Sequence, residues 1–368
     1  MALLRRGNVL RTQDLIAAHL RILEGLQYGS GLFAASSKNV STGYDKAWLR
    51  DNFYECLAFQ ALGEWNVVHR TCRAILNIIE KHEEKIDWAI RRKPQHKHEY
   101  IHARYHPETF AEFWEEWGNK QNDAVGALLF LFGELERHGK SVIVDDRDKR
   151  LAQKLVDYLG TLRYFDDPDS GVWEEDEEVH ASSVGACVAG LRSVRAVKGI
   201  VVPDALIMNG EKTLRHMLPR ESPGKFVDLA LLSLIWPYAV VTPEERTQIV
   251  QNVEYHLLRA RGVIRYKNDH YYNKNPDGYS EEAEWCFGIA WLAIVHERIG
   301  DKEKGLEYVK QLIGTIDEDG HVPELYFSNS AVHNTNSPLG WAESLFIVAL
   351  HLLNEKTISL DIAAEKKK

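Results

Sequence analysis

Ala47-Trp48-Leu49-Arg50-Asp51-Asn52-Phe53-Tyr54-Glu55-Cys56-Leu57-Ala58-Phe59-Gln60-Ala61-Leu62 is apolar nearly all round once its opening polar turn is past. A helix of that kind is enclosed on every side. Upstream, Leu15, Ile16, Leu20, Leu23 and Leu26 recur at helical spacing with charges between them, which predicts a one-faced helix from about Thr12 to Tyr28. The two kinds alternate along the chain. One-faced helices are predicted at 65–81, around Leu151–Leu162, at 203–218, after Thr242 and after Asp301. Enclosed helices are predicted at 122–132, 182–197, 226–239, 282–295 and 338–353. Thr242-Pro243-Glu244-Glu245 carries an N-cap Thr, Pro at the first helical position and acids in the first turn.

Six enclosed and six one-faced helices predict an all-α fold, a double ring of six helical hairpins closed as an (α/α)6 toroid. A flat helical solenoid fits less well, because no short repeat shows and the inner helices are too apolar for an open face. Residues 1–360 read as a single domain and 361–368 as a solvated tail. Strands are scarce; Arg261-Gly262-Val263-Ile264-Arg265-Tyr266 is a candidate short one.

The 368 residues are 45% hydrophobic and 27% charged, with net charge −9. That balance argues against nucleic acid and favours a neutral ligand. No stretch reaches the roughly 18 apolar residues of a membrane span. Met1–Asn8 has no signal-peptide pattern. Cys56, Cys72, Cys187 and Cys286 fall in apolar stretches without metal-type spacing, and read as free thiols in a cytoplasmic protein. His96, His98, His102 and His106 are mixed with Lys and Arg, which suits a solvated or mouth-covering insertion better than zinc. No metal or other cofactor is expected, and a homo-oligomer is left open.

In a closed ring the connections into the inner helices gather at one mouth. There the chain places Trp48 with Arg50 and Asp51, Trp117 with Gln121 and Asp123, and Trp173-Glu174-Glu175. Tyr271-Tyr272-Asn273 and Glu284-Trp285 follow, then Pro323-Glu324-Leu325-Tyr326. Aromatics and carboxylates in loops at one end of a rigid ring make a binding cleft. Glu174 precedes the third inner helix and Glu324 the sixth, so the two are expected to face each other. Carboxyls about 6.5–9.5 Å apart leave room for a water and invert a glycosidic centre. Glu174 is the candidate acid, raised by Trp173, Glu175 and Asp176, and Glu324 the candidate base. Each has a plainer reading: Glu174 in a solvated acidic turn, Glu324 as a loop cap. Arg50-Asp51 could bind vicinal hydroxyls or simply cap its helix, and Gln121, Asn122 and Asp123 could be N-cap residues.

At these residues the chain resembles glycoside hydrolase family 15, the glucoamylases, and the glucoamylase-like domain of phosphorylase kinase α and β subunits. The likeness runs through Ala47-Trp48-Leu49-Arg50-Asp51-Asn52, Ile101-His102-Ala103-Arg104-Tyr105, Trp117-Gly118 with Gln121-Asn122-Asp123-Ala124, and Gly171-Val172-Trp173-Glu174-Glu175. It continues in Ala181-Ser182-Ser183-Val184-Gly185, Arg265-Tyr266, Val322-Pro323-Glu324-Leu325-Tyr326 and Pro338-Leu339-Gly340-Trp341-Ala342. The resemblance implies an inverting exo-hydrolase releasing glucose from an α-glucoside of malto-oligosaccharide, trehalose or isomaltose type. It puts the acid on Glu174 and the base on Glu324. Arg50, Asp51 and Arg265 would hold the first sugar, with Trp48, Trp117 and Trp285 as stacking walls. Gln121, Asp123, Trp173, Glu175, Tyr266, Tyr326 and Trp341 complete the expected substrate-binding set. Two departures stand out: the chain has no room for the β-sandwich that precedes the barrel in bacterial and archaeal members, and Glu284 falls where secreted members have Asn-Pro-Trp, so it is expected in the pocket wall. The kinase likeness supplies the alternative, a catalytically silent glucan-binding regulatory domain. Phosphorolysis is a third, weaker option.

Overall fold

The computed structural model describes residues 9–115, 118–274 and 281–360. Trp117 and the tail at 361–368, both of which carried expectations, lie outside the described residues.

The enclosed stretches form the inner wall. They are α2 (Leu49–Leu62), α5 (Asn122–Arg137), α7 (Ala181–Val194), α10 (Cys286–Arg298) and α12 (Gly340–Leu353). Every residue of α7 except Arg192 is buried, as is every residue of α10 from Cys286 to His296. The one-faced helices sit outside: α1 (Thr12–Leu26), α3 (Trp65–Lys81), α6 (Asp146–Leu162), α8 (Asp204–Met217), α9 (Pro243–His256) and α11 (Lys302–Ile313). An additional short helix, α4 (Glu83–Arg91), follows α3. The predicted start of α9 is found: Thr242 accepts from the Glu245 amide and the Glu245 side chain returns to the Thr242 amide. Asp301 caps α11 through the Lys304 amide at 3.1 Å.

The ring closes by named contacts. Phe53 of α2 meets Phe130 of α5 at 6.2 Å. Trp291 of α10 meets Trp341 of α12 at 5.8 Å, and Trp341 stacks on Tyr54 of α2 at 4.2 Å. Outside, α1 rests on α12 through His19 and Phe346. The strands β1 (Val9–Arg11) and β6 (Thr357–Ser359) pair antiparallel there, Leu10 opposite Ile358. At the mouth, β2 (Ala47–Trp48) pairs with β3 (Arg104–Tyr105), and β4 (Glu284–Trp285) with β5 (Leu325–Tyr326).

Two expectations need correction. The fourth inner element is not a helix over 226–239 but a 3-10 helix, Leu229–Leu234, capped by Asp228. Its sequence is apolar enough to be enclosed, but Pro237 cannot continue a helix and Ala239 is left-handed, with φ of 50°. Residues 261–266 form isolated bridges, Val263 to Leu258 and Trp285 and Tyr266 to Asp228, rather than a strand.

The tightest joint lies between α5 and α7. A Cβ on Gly190 would fall 2.2 Å from the Gly126 carbonyl oxygen, and one on Gly133 2.2 Å from the Ser193 carbonyl. Both obstacles are backbone, so neither can swing aside. Gly190→Ala gains roughly 1 kcal/mol in helix propensity, but forcing two helices apart costs about 1–3 kcal/mol or more. The net result expected is destabilisation by about 1 kcal/mol or more, read from a urea unfolding midpoint. A variant as stable as the wild type would show that the helices are not in contact there.

Candidate active site

Inner helices begin at the mouth, so the residue before each stands at the cavity or just behind it. Trp48 precedes α2, Gln121 precedes α5, Trp285 precedes α10 and Leu339 precedes α12. Helix N-termini carry partial positive charge and favour anionic groups nearby. The cavity has a volume of about 290 Å³. Ten of the expected residues line it: Trp48, Arg50, Asp51, Trp173, Glu174, Glu175, Arg265, Trp285, Glu324 and Trp341.

Glu324 comes from the loop ahead of β5 and is 1% exposed. Its Oε2 accepts from the side-chain amides of Asn334 and Asn336, the latter at 2.7 Å. Its Oε1 accepts from the Tyr44 hydroxyl at 2.9 Å. Burial pushes the carboxyl above its ordinary value of 4.5, while the three donors and Arg265 pull it back.

Glu174 lines the same cavity, on a turn that only a special backbone can make. Gly171 has φ of 63°, and so does Glu174 itself. Left-handed backbone in a non-glycine residue is strained by roughly 1–3 kcal/mol and is retained where neighbours enforce it. The neighbours are close: a Cβ on Gly118 would fall 2.9 Å from the Glu174 carbonyl oxygen. Gln121 Nε2 donates to Glu174 Oε1 at 2.9 Å, and Arg50 Nη1 lies 3.6 Å from the same oxygen.

Glu175, next in the chain, is differently placed. It meets Arg265 at 2.7 Å, Lys225 at 3.0 Å and the Tyr266 hydroxyl at 2.5 Å. Burial alone would raise it, but Arg265, Lys225 and Tyr266 hold it below its ordinary value. Its charge is therefore compensated by these neighbours. Asp176 is exposed.

The two cationic groups are locked. Arg50 donates to Asp123 through Nε at 2.6 Å and Nη2 at 3.2 Å, to Gln121 Oε1 at 2.6 Å and to the Gly171 carbonyl at 3.3 Å. Arg265 is forked onto Asp269 at 2.7 and 2.6 Å. Its guanidinium lies over Trp285 at 4.8 Å, Tyr271 at 5.0 Å and Trp173 at 5.3 Å. Asp51 does not pair with Arg50 in an end cap; it faces the cavity. Burial raises it to about 7, Arg50 opposes, and Glu174 and Glu324 add to the rise. The indoles form one wall, Trp173 lying 6.0 Å from Trp285 and 6.3 Å from Trp341. Trp173 is fixed by its Nε1, which donates to Asp228 at 2.8 Å.

Four expected residues lie outside the lining. Gln121 and Asp123 stand behind it and hold Arg50 and Glu174. Tyr266 stands behind Glu175. Tyr326 turns its hydroxyl to the Thr315 carbonyl at 3.0 Å. Glu284 is not in the wall either. Adjacent strand residues point to opposite faces, so with Trp285 facing the cavity, Glu284 faces away and accepts from the amides of Arg261 and Asn329.

Sequence reasoning missed Tyr44, Phe287, Asn334 and Asn336, and placed Tyr271 at the mouth without assigning it to the substrate-binding set. Tyr44 and Tyr271 line the cavity with their hydroxyls 3.1 Å apart. An aromatic inside the polar stretch Ser41-Thr42-Gly43-Tyr44-Asp45 was the available signal for the first, and the Tyr271-Tyr272 doublet for the second. Phe287 stacks on Trp341 at 4.7 Å and had no signal, being one apolar residue in an apolar helix. The asparagines gave none that pointed to Glu324.

A double helical ring with two carboxylates and an indole wall at one mouth is the architecture of the six-hairpin glycosidase folds. The chain belongs to the glycosyl hydrolases family 15, whose family model matches residues 11–205. It is 26% identical over 373 residues to a probable phosphorylase b kinase regulatory subunit alpha of Caenorhabditis elegans, covering 82% of this chain and 30% of that one. The skeletal muscle isoform of the same subunit in Oryctolagus cuniculus is 28% identical over 348 residues, 78% of this chain and 28% of that one. The chain thus spans about 30% of the length of these relatives. In fold it is similar to a wild-type glycosidase (TM-score 0.77, 20% identity, 93% of this chain and 97% of that one). The glucoamylase of Saccharomycopsis fibuligera is also similar (TM-score 0.67, 15% identity, 94% and 97%). Among the described residues no helix is long and apolar enough to cross a membrane.

Proposed function

We propose that this chain is an inverting, exo-acting glycoside hydrolase that releases glucose from a short α-glucoside, with Glu174 as general acid and Glu324 as general base. The observation that carries the reading is the pair itself: both carboxylates line one small cavity, and each is held by side chains from elsewhere in the ring. Glu324 meets three neutral donors, which orient a carboxylate without neutralising it. Arg50 and Asp51 offer a donor and an acceptor to sugar hydroxyls, and the indoles offer a face to the ring. The volume of about 290 Å³ lies at the floor of the roughly 300–1,000 Å³ range of small-molecule sites. That suits one or two sugar rings entering end-on. Incubation with maltose, trehalose, isomaltose and longer homologues, with NMR of the fresh product, tests it. β-Glucose from one of them is the expected result; α-glucose, or no turnover of any, overturns it.

The pH profile follows from the burial of Glu324. A base must be ionised, and burial raises this carboxyl, so activity is present above its pKa and lost as pH falls through it. The acid limb of kcat/KM is therefore expected at a pH above the 4.5 of an unperturbed glutamate. A limb at or below that value would remove Glu324 from the role.

The kinase relatives favour a second reading, a glucan-binding regulatory domain. It predicts saturable binding of the same sugars, with no product.

A further inference from the structure

Behind the Glu174 turn lies a buried histidine that the mechanism above does not use. His180 immediately precedes α7 and is 4% exposed. Its ring packs on Gly171 so closely that a Cβ there would fall 2.9 Å from Cδ2 and Nε2. The Gly171 carbonyl accepts from the Glu174 amide at 3.3 Å and from Arg50 at 3.3 Å. The ring therefore abuts the residue that joins the acid's turn to its arginine. On its other side, His180 Nδ1 lies 3.4 Å from Glu221. Glu221 also receives the Ser182 amide at 3.1 Å and the Ser182 hydroxyl, so it cannot follow the histidine elsewhere. Asp169, two residues before Gly171, is fixed by the Asn122 amide at 2.9 Å and by paired backbone bonds with Glu178.

We propose that His180 is a positioning residue for the acid: a cationic peg, set against Glu221 and packed on Gly171, that pins the Gly171–Glu174 turn and so fixes where Glu174 delivers its proton. This rests on the reading of Glu174 as the acid. The charged groups facing the ring are Glu221 and Asp169, which favour the cation, and Lys225, which opposes it. Burial lowers the imidazole, but the two carboxylates outweigh burial and Lys225 and raise it to about 9. With an unfolded value near 6.5, its contribution to the turn is complete below about 6.5 and is lost as pH rises through about 9.

His180→Gln keeps a hydrogen-bonding side chain of similar length and removes the charge. A displaced acid costs rate on substrates whose leaving group needs a proton, and little on α-glucosyl fluoride, whose leaving group does not. The expected result is a fall in kcat of about 30- to 100-fold on the hydrolysed disaccharide with KM within about twofold, and less than about fivefold loss on the fluoride. Equal losses on both, or none on either, overturn the proposal, because general damage or irrelevance would explain them. Nitrogen NMR of 15N-His-labelled wild type is the second arm and needs no variant. A doubly protonated His180 ring at pH 8 is expected, and a neutral one overturns the peg. If the wild type hydrolyses nothing, the hydrolase reading fails separately. Amide exchange then decides for the peg alone: faster exchange confined to 170–178 in His180→Gln supports it, and unchanged exchange there overturns it.

Discussion

Glu324→Gln is expected to lower hydrolysis by about 10³-fold while sugar binding changes by less than about threefold. The carboxylate is the group that would take a proton from the attacking water, and an amide cannot. The loss falls on kcat because the cavity walls, Trp48, Trp285 and Trp341, are untouched. The substitution also disturbs the hydrogen bonding. Glu324 accepts from two side-chain amides and one hydroxyl, and Gln offers a single acceptor oxygen and a competing donor. A stability loss of about 1–3 kcal/mol is therefore expected alongside. Rates per folded enzyme, with binding of glucose measured by calorimetry, separate the two effects. Turnover within tenfold of the wild type would end the assignment of the base.

For Glu174→Gln the diagnostic is the leaving group. Hydrolysis of a disaccharide is expected to drop by about 10²–10⁴-fold, the usual contribution of a positioned acid. Hydrolysis of α-glucosyl fluoride should drop far less, because fluoride departs without a proton. Gln121 Nε2, which donates to Glu174, can donate equally to the oxygen of a glutamine, so the turn is expected to survive. If the two substrates lose rate in parallel, Glu174 positions the sugar rather than protonating it.

The ring was legible because burial on all sides leaves a composition that no exposed helix tolerates. Five of the six enclosed stretches are α-helices, and the sixth was shortened by Pro237, whose effect depends on where the apolar run is interrupted rather than on how apolar it is. Residues at the mouth were legible as a set for a related reason: polar and aromatic side chains have little business at the start of an enclosed helix unless something binds there. The members of that set were not separable. Tyr266 and Tyr326 looked as well placed as Trp341, yet one serves Glu175 and the other the Thr315 carbonyl. Tyr44 stood in an ordinary polar turn, and nothing in that turn records a contact with a carboxylate 280 positions away.

By itself, then, the chain determined which stretches are enclosed, which ends of them carry polar groups, and that carboxylates and indoles gather there. Local composition suffices for this, since enclosure is a property of each helix's own faces. Only the tertiary structure showed how differently Glu174 and Glu175 are surrounded. One is turned toward the cavity by a left-handed backbone wedged against Gly118, and the other is neutralised by Arg265, Lys225 and Tyr266. The charge state and direction of a carboxyl depend on what stands within a few ångströms of it, and those groups lie from 50 to 91 residues further along.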